Sequence, residues 1–158
     1  MQARCSYNLR PAKNSDGRAI WALISGVLVE YGIVADLATT DQDLADIETN
    51  YEKAGGAFLV LMDGERLIGT VALSRKSDST CELCRMYLAT PYRGKGLGRM
   101  LMETALRHAT ECCFSEIRLS TAAVLKEALG LYRSAGFAPV DGPLTCKNCN
   151  LVMSKRLK

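Results

Sequence analysis

The chain of 158 residues carries one histidine, one tryptophan and four prolines, and aromatic residues make up only 6% of it. A single imidazole, His108, excludes an HExxH zincin and any centre built on two histidines. Ser-His-Asp or Cys-His catalysis would have that one residue to use. Charge of one sign is scarce as well: 20 Lys and Arg against 17 Asp and Glu leave +3, too weak a bias to indicate a nucleic-acid partner. Long hydrophobic runs are missing. The longest apolar stretch, residues 19–29, is interrupted by Ser25 and falls short of the roughly 20 residues a membrane span needs, so no membrane association is expected. The first six residues lack the apolar segment of a secretory signal.

Cysteine, by contrast, is plentiful. Seven cysteines, an odd number, without a signal segment point to a cytoplasmic protein with mostly free thiols. Cys81-x-x-Cys84 and Cys146-x-x-Cys149 together resemble a zinc tetrad, but the gap between the pairs is far longer than in ordinary zinc modules. Residues three apart in a strand also point to opposite faces, so Cys81 and Cys84 are not expected to share an ion. No metal site is expected. Cys146 and Cys149 could close a local disulfide across a tight turn.

At 48% hydrophobic and 23% charged, the composition is that of one globular domain over residues 1–158. Periodicity predicts a short strand at Tyr7–Arg10 and a helix from Arg18 to Tyr31, with Ile20, Leu23, Ile24, Val27, Leu28 and Tyr31 on one face. A second helix is expected from Asp41 to Lys53, ended by Gly55-Gly56. Residues 57–62 and 67–73 around Asp63-Gly64 read as a hairpin. Thr80–Leu88 follows as a strand, Leu97–Cys112 as an amphipathic helix with His108 on its solvent side, and Glu116–Thr121 as a strand. A helix over Lys126–Ala135, closed by Gly136, precedes two short strands at Phe137–Val140 and Asn150–Met153. This alternation predicts a mixed α/β domain with a partly antiparallel sheet.

Arg93-Gly94-Lys95-Gly96-Leu97-Gly98-Arg99 sits where a strand ends and a helix begins. Such a junction offers unpaired N–H groups and the positive end of a helix dipole to an anion, and glycines remove the Cβ atoms that would hold a phosphate away. A diphosphate is the expected guest. The run is not a Walker A loop, because Gly96 follows Lys95 where Ser or Thr would be needed. It is not a dinucleotide fingerprint either, because Arg99 and Leu101 occupy the required last-glycine positions.

The same run resembles the Gln/Arg-x-x-Gly-x-Gly/Ala signature of the GNAT superfamily of N-acetyltransferases. Cys81 to Leu88 is similar to that family's fourth strand, Leu119 to Thr121 to the end of its fifth, and Ala128 to Phe137 to its A-x-x-L-Y-x-x-x-G-F block. The resemblance implies a mostly antiparallel twisted sheet of about seven strands, splayed between strands 4 and 5 and flanked by four helices. It implies acetyl-CoA as acyl donor, with the acetyl group passed directly to an amine in a ternary complex. By the same resemblance, Arg93, Gly94, Lys95, Gly96, Leu97, Gly98 and Arg99 hold the pyrophosphate. The backbone of Met86, Tyr87 and Leu88 pairs with the pantetheine arm, and the Leu88 amide serves as oxyanion donor.

Two side chains are carried over as catalytic. Glu82 lies eleven residues before Arg93, the spacing of the family's general-base glutamate; the competing reading is a strand carboxylate paired with Arg85. Tyr132 matches the family's tyrosine, whose phenol faces the thioester sulfur, and a phenol near pKa 10 is a weak acid for a thiolate near 8.5. Leu125 stands where family members often carry Asn. Acidic residues crowd 36–53, where Asp36, Asp41, Asp43, Asp46, Glu48 and Glu52 are expected to form a negative rim that draws cationic amines. A small-molecule or amino-acid-like amine is the expected acceptor, with a peptide amino terminus as alternative and a homodimer left open. The competing classes are a non-catalytic acyl-CoA sensor and a zinc or redox protein.

Overall fold

Strands dominate the chain order, and they assemble into one sheet. The computed structural model describes residues 7–36, 41–146 and 149–157. The strands are β1 (Tyr7–Pro11), β2 (Ala57–Asp63), β3 (Arg66–Arg75), β4 (Thr80–Leu88), β5 (Glu116–Thr121), β6 (Ala138–Val140) and β7 (Leu151–Arg156). Their order across the sheet is β1-β2-β3-β4-β5-β7-β6. All neighbours are antiparallel except β4 and β5, which run parallel and pair only at Thr80–Glu116, Cys81–Ile117 and Glu82–Arg118. Beyond Glu82 the two strands part.

Helix α1 (Gly17–Glu30) covers one face. Its Ile20 and Ile24 meet Phe58, Val60 and Ala72 of the sheet. Helices α2 (Leu97–Glu111) and α3 (Lys126–Ser134) cover the other. There Leu97, Leu101, Met102, Ala105 and Ala109 of α2 pack on Leu61, Val71, Leu73, Cys81 and Leu83, each large side chain contributing about 1.5–3 kcal/mol by its burial. Cys81 therefore lies in one core while Cys84 packs against the other, as strand alternation requires.

Three expectations are corrected. The helix over 41–53 is broken into a 3-10 turn, Gln42–Ala45, and a π-helical turn, Glu48–Glu52. The cause is side-chain competition with the helix backbone. Asp41 accepts the Asp36 amide at 2.7 Å, and Asp46, at φ −144 and ψ 81, accepts the Thr49 amide. Secondly, the β2–β3 turn is Gly64-Glu65, one residue later than Asp63-Gly64, with Asp63 paired to Arg66 and Gly64 at φ 60. Glycine thus occupies the first central position, where a type II′ turn needs positive φ. Thirdly, His108 is half-buried. It lines a groove with Ala57 and Leu59 and lies 3.6 Å from the sulfur of Cys112, because the α2 stripe is wide enough to bring its flank over the start of β2.

Candidate active site

The open edge of β4 is made by a bulge. Thr70 pairs with Tyr87 but Ala72 pairs with Cys84, so Arg85 and Met86 together oppose Val71. Arg85 takes φ 51, left-handed for a non-glycine residue, a conformation that costs about 1 kcal/mol or more. Its carbonyl is held by the hydroxyl of buried Thr70 at 2.7 Å. The extra residue changes the parity of the strand. Cys84 and Tyr87 pack on the α1 side, Met86 and Leu88 on the α2 side. The Ala89 amide donates across β3 to Ile68 at 2.8 Å. Alternation then turns the amides of Leu88 and Met86 toward the gap between β4 and β5.

The glycine-rich loop leads directly from this edge into α2. Gly94 and Gly96 have φ 78 and 82, and Gly96 is the N-terminal cap of the helix. Among the described residues, no acceptor faces the amides of Gly94, Lys95, Gly96, Leu97, Gly98 and Arg99. A Cβ added at Gly94 or Gly96 would meet no atom within 4 Å. The loop is therefore a concave row of free N–H donors at the positive end of a 15-residue helix, which fits a diphosphate. Lys95 and Arg99 are exposed beside it, and the Lys95 ammonium lies 5.6 Å from the Tyr92 ring. Arg93 is engaged as a brace. Its Nε donates to the Leu88 carbonyl at 3.0 Å and its Nη1 to Glu30 at 3.0 Å, while its amide donates to Thr90. Glu30 also accepts the Thr90 hydroxyl, tying the end of α1 to the loop.

Tyr132 of α3 packs in the α2-side core with its ring edge-on to Phe137 at 6.1 Å. Burial, reinforced by nearby Tyr87, pushes its phenol up to about 12. It stays protonated at neutral pH. Its hydroxyl has no hydrogen-bond partner among the described residues. Leu125 is the N-cap of α3 and offers no side-chain cap.

Glu82 lies on the α1 face of β4, one pleat before Cys84. Its side chain is mostly buried, at 13% exposure. It accepts the Thr145 hydroxyl at 2.8 Å and stands 3.7 Å from the Lys76 ammonium. The expected alternative partner, Arg85, is elsewhere. Arg85 Nη1 donates to Asp41 at 2.7 Å, and Nη2 and Nε donate to Asp43 at 2.5 and 3.1 Å. Tyr51 donates its hydroxyl to the same Asp43. These carboxylates, outweighing the burial that acts against the charge, hold the guanidinium well above its usual range.

That cluster overturns the expected negative rim. Asp41 and Asp43 are spent on Arg85, Asp46 accepts the Asn14 side chain, and Glu48 accepts the Asn14 amide. Asp41, Asp43, Asp46 and Glu48 bind this segment to β4 and to the turn before α1, so these four are poor bait for a cation. The sequence reading missed the Arg85–Asp41–Asp43–Tyr51 cluster. No local signal marks it, since Arg85 and Asp43 are 42 residues apart and meet only through the bulge.

Cys146 and Cys149 are joined by a disulfide, with Cα atoms 5.3 Å apart. Among the described residues, no group of three or more His, Cys, Asp or Glu is arranged to hold a metal. None of the described helices is long and apolar enough to cross a membrane.

A model of the Acetyltransferase (GNAT) family matches residues 15–137. The chain is 35% identical over 150 residues to the uncharacterized N-acetyltransferase YjgM of Escherichia coli K12, covering 90% of both chains. It is 38% identical over 98 residues to human N-acetylaspartate synthetase, a match covering 60% of this chain and 32% of that protein. Among solved structures, an acetyltransferase of the GNAT family from Staphylococcus aureus Mu50 superposes with a TM-score of 0.91 at 24% identity, over 97% of this chain and 100% of that one. YncA, a putative acetyltransferase from Salmonella typhimurium solved with acetyl-CoA, superposes with a TM-score of 0.76 at 22% identity, over 96% and 94%.

Proposed function

The chain belongs to the GNAT family of acetyltransferases and is an acyl-CoA-dependent N-acetyltransferase, and on that premise we propose that it acetylates the primary amine of a small, amino-acid-like acceptor by direct transfer in a ternary complex. The observation that carries the donor half is the row of six free amides from Gly94 to Arg99 at the N-terminus of α2. These amides hold the pyrophosphate of acetyl-CoA, with Lys95 and Arg99 adding charge. The open edge of β4 at Met86, Tyr87 and Leu88 takes the pantetheine arm as an added strand, and the Leu88 amide polarises the thioester carbonyl.

Glu82 receives the proton that the acceptor must lose before attack. Tyr132 faces the departing sulfur. A phenol near 12 is a weaker acid than a thiol near 8.5, so Tyr132 supports the thiolate by donating a hydrogen bond while keeping its proton. The amino-acid-like acceptor is supported by cations beside the base. Lys76 is 3.7 Å from Glu82, and Arg118 is its register partner on β5. A carboxylate on the acceptor would meet Lys76 and the part of the Arg118 guanidinium left open by Glu116, which holds its Nε at 2.6 Å, while the amine extends up the gap toward Leu88.

Calorimetric titration with acetyl-CoA, CoA and ATP tests the donor site. Saturable binding of the first two and not of ATP is expected, and failure of CoA to bind would overturn the assignment of the loop. A turnover panel of L-aspartate, glycine, putrescine and an alanine-terminated peptide then tests the acceptor class. Activity confined to the peptide would replace the small-molecule reading.

A further inference from the structure

The base assigned to Glu82 lies too far down β4 to act alone. Even the nearer open-edge amide, that of Met86, is four residues up the strand, roughly 13 Å at about 3.3 Å per residue and less the shortening at the bulge. Direct proton transfer needs heavy atoms about 3 Å apart. Something must carry the proton along the gap.

Two hydroxyls lie on that path. Thr145, in the segment between β6 and β7, places Oγ1 at 2.8 Å from Glu82 Oε1 and at 3.0 Å from the Ser120 hydroxyl. The Thr145 amide donates to Ser120 Oγ at 3.2 Å. Thr145 Oγ1 is placed as donor to both Glu82 and Ser120, but it has one hydrogen. The ionised carboxylate can only accept and takes that hydrogen, so the relay operates with the Ser120 hydroxyl turned to donate to Thr145. Ser120 Oγ keeps one lone pair beyond the one used by the Thr145 amide. Ser120 is two residues past Arg118, the partner of Glu82, so the chain climbs one pleat toward Met86 and Leu88, at the level of Cys84. From there one pleat leads to the Met86 amide and two to the Leu88 amide, the space of the reacting amine and of a thioester held at Leu88.

We infer that Ser120 and Thr145 form a hydroxyl relay that delivers the acceptor's proton to Glu82; this rests on the reading of Glu82 as the base. The ammonium N–H bond breaks and leaves its electron pair on nitrogen as the nucleophile. That proton binds Ser120 Oγ, the Ser120 hydrogen moves to Thr145 Oγ1, and the Thr145 hydrogen moves to Glu82 Oε1. Both hydroxyls are regenerated, and the sum is a neutral amine and a neutral carboxylic acid. Ser120 is then the catalytic residue that touches substrate, and Thr145 is a positioning and relay residue.

The other charged or titratable groups around Glu82 are Lys76 from the turn before β4, Arg118 across the gap on β5 with Glu116 bound to it at 2.6 Å, and the neutral Cys84 thiol on its own strand. None of these is altered in the test. Glu82→Gln, Ser120→Ala, Thr145→Val, Thr145→Ser and the Thr145→Val/Glu82→Gln double variant are compared in kcat, KM and pH–rate profile, using the panel amine that is turned over fastest. Acetyl-CoA Kd by calorimetry serves as the check on folding. Thr145→Val is expected to lower kcat about 100-fold at pH 7 with acetyl-CoA Kd unchanged. The loss should shrink above the pKa of the amine, where the acceptor arrives already neutral, and Thr145→Ser should restore the rate. The double variant should be no slower than Glu82→Gln, as expected of groups acting as one unit. Parental kcat in Thr145→Val beside a slow Glu82→Gln would overturn the relay and leave the base standing, as would losses that multiply in the double variant. A parental rate in Glu82→Gln would instead remove the base, and the relay with it.

Discussion

Replacing Arg85 by methionine isolates the contribution of its mostly buried cluster with Asp41, Asp43 and Tyr51. The side chain of Arg85 is 13% exposed and those of its partners Asp41 and Asp43 are 6% and 27% exposed. Methionine keeps much of the aliphatic stem but leaves two carboxylates facing each other, with the Tyr51 hydroxyl still on Asp43. Removing one side of a buried charge cluster typically costs about 3–5 kcal/mol, because the remaining charge stays buried without its partner. In a chain of this size each kcal/mol lowers Tm by about 2–4 °C, so Arg85→Met should melt roughly 6–20 °C below the parent. Backbone strain does not enter the difference, since methionine must adopt the same left-handed φ of 51. Urea unfolding followed by circular dichroism, with the m-value held constant, gives the loss in free energy directly. The neutral triple variant Arg85→Met/Asp41→Asn/Asp43→Asn removes the uncompensated charge and should recover at least half of the loss. A penalty below about 1 kcal/mol for the single variant, or a triple variant no more stable than the single, would refute the buried-cluster account.

Gly96→Val should reduce acetyl-CoA affinity by more than 100-fold in calorimetry. Its side chain meets no protein atom within 4 Å and so projects into the space before the free amides, on a φ of 82 that a β-branched residue resists; parental affinity would count against the loop as the phosphate site. Tyr132→Phe should lower kcat 10- to 100-fold with acetyl-CoA Kd unchanged, if it removes the hydrogen bond proposed to the leaving sulfur; an unchanged kcat would reject that role. Stability should hold between pH 7 and 5 and fall as pH drops through about 4.5 and 3.8. Hydrogen bonds from Thr90, Ser154 and Arg10, respectively, hold Glu30, Glu116 and Asp16 below those ordinary values in the folded state. A folded pKa below the unfolded one means that protonation favours unfolding, and urea midpoints that stay flat from pH 5 to 3 would contradict it. Iodoacetamide at pH 8 followed by peptide mapping should label exposed Cys112 and Cys113 quickly. Cys81 and Cys84, whose thiols burial pushes up to about 12, should stay unlabelled until the protein unfolds.

The glycine-rich loop and the helix it opens were legible in the sequence because they are set by backbone, and backbone needs leave compact marks. Gly94 and Gly96 are glycines because their φ values are positive, and Leu97, Leu101, Met102, Ala105 and Ala109 announce the helix they open. The strands read well for the same reason, since period-2 burial shows in Ile117, Leu119 and Thr121 of β5. The segment carrying Asp41 to Glu48 was not legible. Asp41, Asp43, Asp46 and Glu48 look in sequence like a solvated helix face, and only their long-range partners Arg85 and Asn14 turn them into fasteners. A helix was expected where aspartate side chains take the backbone's own hydrogen bonds. The bulge at Arg85 had no mark at all, because an arginine at positive φ is held by Thr70 and two aspartates from elsewhere in the chain.

The open edge of β4 and the segment carrying Asp41 and Asp43 meet at the bulge, and its position has a chemical consequence. Without the extra residue, β4 would keep its parity, and Met86 and Leu88 would lie on the same face as Cys84 instead of the α2 side. The amides that now face the gap would then face β3. The inserted residue is long, charged and anchored to Asp41 and Asp43, so the geometry of the open β4 edge is tied to the segment that carries them. Arg93 repeats the arrangement from the other end, joining the Leu88 carbonyl to Glu30 at the end of α1. On the proposed placement of acetyl-CoA, a change in how these elements pack would therefore reach the thioester through β4 itself. Substitutions at Asp43 or Glu30, neither placed in contact with acetyl-CoA, should on this reasoning act on kcat more than on acetyl-CoA affinity.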